Sequence, residues 1–212
     1  MKLIIFLAAV IGLGGCAGSA GRQTQTADYD LGIASIASIA SNSPREGVKS
    51  PVMVREIAVQ APSWLETAAM QYRLGYADGS RRQVFAESRW AAPPAELLEV
   101  ALRRGVAAGE GGSPATGCRL RIDLDEFVQV FDDPQASHAV LEARAMLMAT
   151  RSDRSLARRS FSLRKNTATP DARGGVAAFA ALSGEFGSQL AAWLATLAKD
   201  APGVLDACAG KP

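Results

Sequence analysis

Histidine is almost missing: the 212 residues include one, His138, alongside three cysteines. That scarcity leaves no His/Cys/carboxylate cluster at metal-ligand spacing and one candidate base for a nucleophile–histidine–acid constellation. No G-x-S-x-G precedes a helix. The glycines between Gly109 and Gly112, interrupted by Glu110, lack the lysine and following helix of a phosphate loop. His138 falls just after a turn and reads as a surface residue rather than a base. A strong charge of either sign is also absent: the formal net charge is +2, so nothing drives global binding to nucleic acid. No apolar run reaches the roughly twenty residues of a spanning helix. At 48% hydrophobic and 21% charged residues, the chain reads as one ordinary globular domain without catalytic set, metal or cofactor.

What is present begins at the N-terminus. Lys2 precedes an apolar stretch, Leu3 to Leu13, of about eleven residues, the length of a signal-peptide core. Leu13-Gly14-Gly15-Cys16 then resembles the lipobox of bacterial lipoproteins, which implies removal of residues 1–15 and acylation of Cys16. Ala17 rather than aspartate follows, which in Gram-negative envelopes favours the outer over the inner membrane. Residues 16–27, rich in Gly, Ser, Thr and Gln, read as a lipidated flexible tether. Fully extended, it reaches roughly 35 to 40 Å from the bilayer. Residues 28–212 form the domain. In an oxidising compartment Cys118 and Cys208 are either a disulfide or two buried thiols, and the compartment favours the bridge.

The domain alternates between strand and helix patterns. Val52 to Val59 predicts a strand ended by Pro62; Met70, Tyr72, Leu74 and Tyr76 alternate with Gln71 and Arg73, and Ala77-Asp78-Gly79 predicts a hairpin turn to Arg81–Glu87. After Pro93-Pro94, the spacing of Leu97, Leu98, Ala101 and Leu102 predicts a helix ending near Gly105. Cys118, Leu120, Ile122 and Leu124 alternate with Arg119, Arg121, Asp123 and Asp125, predicting a strand with a core face and a wet face. That phase slips at Glu126-Phe127-Val128, as a bulge or an extra covered surface near Phe127 and Phe131 would make it. Asp132-Asp133-Pro134 turns the chain into a strand facing Ala139, Leu141, Ala143, Ala145 and Leu147 inward, and a second hairpin leads into LARRSFSLRK. From Pro170-Asp171 a charge-poor helix runs to about Ala198, so it must be covered on more than one side. The order is βββα-βββα: a single α+β domain with a mixed, mainly antiparallel sheet of about six strands and two helices on one face.

Two features sit outside this core. Met146 and Met148, with Val140, make the nominally wet face of their strand apolar, as a subunit or partner interface would, or a face covered by a loop. Arg151, Arg154, Arg158, Arg159, Arg164 and Lys165 form a basic cluster, either a solvated hairpin or a contact for an acidic partner or anionic head groups. Asp123, Asp125 and Glu126 look like paired carboxylates but fit a solvated strand face opposite Arg119 and Arg121.

Taken together, Tyr29-Asp30-Leu31-Gly32, the 61–79 segment APSWLETAAMQYRLGYADG, Trp90-Ala91-Ala92-Pro93-Pro94 with its Leu-rich helix, and Phe127-Val128-Gln129-Val130-Phe131 resemble the auxiliary lipoproteins of ABC-type transport systems, the PqiC/YmbA-like family. The resemblance spans about residues 28 to 200. It implies a lipid-anchored periplasmic subunit that works beside an MCE-domain protein and its inner-membrane partners, moving lipids or other hydrophobic molecules and preserving the envelope. It further allows a homo-oligomeric ring. The other reading is a stand-alone lipid-binding lipoprotein with a pocket between the long helix and the sheet.

Overall fold

One strand organises the molecule. In a computed structural model describing residues 26–32, 52–105, 117–149 and 154–209, β5 (Cys118–Asp133) is sixteen residues long and carries neighbours along both edges. On one edge it pairs antiparallel with β6 (Ala136–Met148), which pairs antiparallel with β7 (Ser155–Asn166). Its other edge is shared. β2 (Val54–Gln60) lies parallel to Cys118–Asp123, and β3 (Ala69–Leu74) lies parallel to Gln129–Phe131. Pro62 and a one-turn 3-10 helix, Ser63–Leu65, separate the two, so the chain runs up the same edge of β5 twice in succession.

β4 (Gly79–Trp90) returns antiparallel to β3, and a three-residue β1 (Ala27–Tyr29) closes that side in parallel. The sheet has seven strands, six of them in one continuous order with β2 beside β5, and it begins with β1 at Ala27. The long β5–β6 and β6–β7 ladders are antiparallel, while β1–β4, β2–β5 and β3–β5 are parallel. The register shift between Leu124 and Glu126 is the expected bulge. Tyr76 departs from the expected alternation: β3 stops at Leu74, and Gly75–Asp78 forms a single helical turn, α1, that leaves the ring about half exposed.

Helices cover one face. α2 (Pro94–Gly105) buries Leu98 and Leu102; α3 (Ala172–Asp200) buries Phe179, Leu182, Phe186, Leu190 and Leu194, recurring at three or four residues. Asp171 caps α3 by accepting from the Gly174 N–H at 2.7 Å, and that bond is the main cause holding its carboxyl below the ordinary value. Gly175 allows α3 to start against the sheet, because a Cβ there would overlap Gln129 Oε1. Between α3 and the sheet, Phe127 stacks on Phe179 with centroids 4.0 Å apart, and Trp90 meets both edge-on at 5.6 Å.

After Ala201, α4 (Pro202–Cys208) brings Cys208 to the start of β5, where it forms a disulfide with Cys118 across 90 residues, Cα–Cα 4.7 Å. Gly117 supports the junction: its N–H donates to the Cys208 carbonyl at 2.8 Å, and its φ of 113° is one a side chain would strain. No helix among the described residues is long and apolar enough to cross a membrane.

Candidate docking surface

The outer face of the sheet, opposite the helices, is where the sequence-predicted contact residues fall. Cross-strand register sets them in rows. Glu56, Arg119 and Met148 stand abreast, followed by Ala58, Arg121, Met146 and Arg158, then Gln60, Asp123, Arg144 and Ser160. Met146 and Met148 are half-buried, each beside an arginine in the register, and Arg158 is exposed. Beside Met148 a shallow hollow of about 220 Å³ is lined by Glu56, Ala58, Gln60, Arg119, Leu120 and Arg121. Methionine thioethers framed by arginine stems make a surface that is apolar yet hydrated at its rim, and adaptable in shape.

The remaining basic residues do not gather there. Arg159 pairs with Ala145 and so sits on the helix side of β7, its guanidinium 5.2 Å from the Phe161 ring centroid. Lys165, opposite Ala139, is also on the helix side, whereas Arg164 shares the outer face with Arg158. Arg154 precedes β7, exposed, its carbonyl accepting from the Ala149 N–H at 3.1 Å. The expected cluster is therefore split across two faces by the period of two of a strand. Arg151 and the lipidation residue Cys16 lie outside the described residues.

Each carboxylate that looked available for chemistry is engaged by an arginine. Asp123 accepts from Arg121 Nε at 3.0 Å. Asp125 takes a two-point contact from Arg144, at 2.7 and 2.8 Å, which raises the guanidinium above its ordinary value. Glu126, less solvated than the strand pattern suggested, receives Arg73 at 3.1 Å and Arg82 at 2.6 Å, tying β3, β4 and β5 together. His138 corrects the expectation of a surface residue. It is 4% exposed, with Nδ1 2.7 Å from Asp132 Oδ2 and Nε2 2.6 Å from Arg164. An arginine can only donate, so Nε2 accepts and Nδ1–H donates to Asp132. The ring is a buried tie between β5, β6 and β7.

Sequence reasoning missed the far end of this face. Trp64 is half-exposed, Arg82 lies 5.7 Å from its ring centroid, and Val84 is exposed opposite Gln71. A tryptophan directly after the strand-breaking Pro62 was the available signal.

Fold and surface together define an α+β module with one sheet face packed under helices and the other open, with methionines beside arginines at one end and ion pairs across its middle. The chain belongs to the family of ABC-type transport auxiliary lipoprotein components, whose model matches residues 35–191. The family resemblance of the sequence holds over that range. Among solved structures, a Xanthomonas campestris protein superposes with a TM-score of 0.62 at 21% identity, covering 75% of this chain and 94% of its own. A second, described as an uncharacterized protein, has a TM-score of 0.56 at 14% identity, covering 80% and 99%. These likenesses support the fold. No curated protein matches the chain.

Proposed function

We propose that this protein is a non-catalytic docking subunit of an ABC-type transport system of the bacterial envelope, working beside an MCE-domain periplasmic protein and inner-membrane subunits that move lipids or other hydrophobic molecules. Residues 1–15 act as the signal peptide and Cys16 as the acylated anchor. The tether that runs from Cys16 to the start of β1 holds the domain at the periplasmic side of the outer membrane. The observation that carries the reading is the open outer face, where Met146 and Met148 remain outside a core that the sheet and α3 complete without them.

A photo-crosslinker at Met146, compared with one at exposed Val100 on α2, tests it in cells. Capture of an MCE-domain protein from position 146 and not from 100 is expected, and equal or no capture at both rejects the docking face. Density fractionation of membranes, with Cys16→Ser as control, tests the anchor. Loss of membrane association in the variant and outer-membrane banding of the parent are expected; inner-membrane banding overturns the location.

The second reading, a stand-alone lipid-binding lipoprotein, is favoured by one observation. A hollow of about 390 Å³, within the range of small-molecule sites, opens between β1 and α3, lined by Tyr29, Leu31, Ala91, Val176 and Ala180 among others. The space between α3 and the sheet itself is filled by Phe127, Phe179 and Trp90. Native mass spectrometry of membrane-purified protein separates the readings: a retained acyl ligand without a partner supports the second.

A further inference from the structure

Among the described residues the sheet has unequal edges, and two are long and without a strand partner: β4 beyond Ser88–Trp90, where β1 pairs with it, and β7. β1 is three residues long. The outer edge of β2 is sealed by α2: Glu99 accepts from the Val59 N–H at 2.8 Å, Arg103 donates to the Ile57 carbonyl at 3.3 Å, and the two side chains pair with each other at 2.6 Å. β7 is twelve residues long, and among the described residues its ladder runs on one side only, to β6.

Along that edge the sequence SLARRSFSLRKN carries Arg158, Arg159, Arg164 and Lys165 and no carboxylate. Strand alternation places one cation of each adjacent pair on either face. The pairs stand six residues apart, about 20 Å along the strand. A second copy of β7 added antiparallel about Phe161 brings Arg158 against Arg164 of the copy on the outer face, like charge on like charge. The edge therefore repels itself while its main-chain groups remain a template for strand addition.

We propose that β7 is the docking edge for an extended acidic segment of a partner protein, which adds as a further strand and places carboxylates beside both cationic pairs. The inference deepens the docking reading by naming the chemistry of one partner contact. A bilayer of anionic head groups is the lesser fit, since it would use the four cations but not the main-chain donors and acceptors between them.

The test uses detergent-solubilised full-length protein and a labelled peptide, TEETVTVEET, with acidic pairs at the matching spacing. Fluorescence anisotropy is expected to show binding, and hydrogen exchange to show new protection of the β7 amides. TEETVPVEET keeps the charge but loses a main-chain donor, and should bind about tenfold more weakly or worse. The double variant Arg158→Glu with Lys165→Glu should also lose about tenfold, with Arg158→Lys retaining binding. Equal binding of the proline peptide, binding without β7 protection, no binding at all, or preference for phosphatidylglycerol vesicles over the peptide each overturns the proposal. Peptide addition at β7 with no transporter capture from Met146 would retain this edge and remove the transporter partner; capture without peptide addition does the reverse.

Discussion

The two faces of β5 divide the labour of the molecule within a single strand. Cys118, Leu120, Ile122 and Leu124 are fully buried beneath the helices, while Arg119, Arg121 and Asp123, one residue away in each case, face outward among methionines and ion pairs. The buried face holds the fold, since each fully buried large apolar side chain contributes about 1.5–3 kcal/mol. The outer face contributes far less, because exposed ion pairs are worth about 0–1 kcal/mol. Residues on that face are thus open to selection for partners rather than for stability.

The contrast can be tested by substitution, beginning where the effect is largest. Phe127→Ala, which removes a ring stacked on Phe179 and edge-on to Trp90, should cost about 3–5 kcal/mol, measured by chemical denaturation. Cys118→Ser should cost about 2–5 kcal/mol, and reduction of the parent should reproduce the loss. Gly175→Ala should cost about 1–3 kcal/mol through overpacking against Gln129, and Gln129→Ala in the same chain should relieve part of it.

Asp171→Ala should remove about 1 kcal/mol of helix capping. Because the folded-state carboxyl is held below its ordinary value of 3.8, that contribution is present in full above this value and disappears as pH falls through the lowered one. The gap between parent and variant should therefore close in strong acid. Finally, Met146→Ser with Met148→Ser should change stability by less than about 1 kcal/mol while abolishing partner capture. A loss comparable to that of Phe127→Ala would show that the outer face belongs to the core after all.

Much of this fold was legible in the residues. The alternation in β5 and β6, the bulge at Glu126, the capped start of α3 and the βββα-βββα order all appear as periodic or local signals, whose meaning does not depend on distant partners. The position of Met146 and Met148 on an otherwise wet face was equally local. The state of His138 was not: its environment comes from Arg164, 26 residues away, folded back across β6. Nor was the engagement of Glu126, whose arginines lie 44 and 53 residues earlier. Segregation of the basic cluster followed from strand parity but needed the register, shifted near Leu147, to say which arginine joins which face.

From composition and pattern alone follow the scarcity of catalytic side chains, the lipobox-like start, the family resemblance and the elements themselves, because covalent neighbours and strand or helix periods are written along the chain. The shared edge of β5, the pairing of Cys118 with Cys208, the sealed edge of β2 and the open edge of β7 were decided only in three dimensions. Each depends on which distant segments compete for the same hydrogen-bonding groups, and that competition is settled by packing the whole sheet under α3.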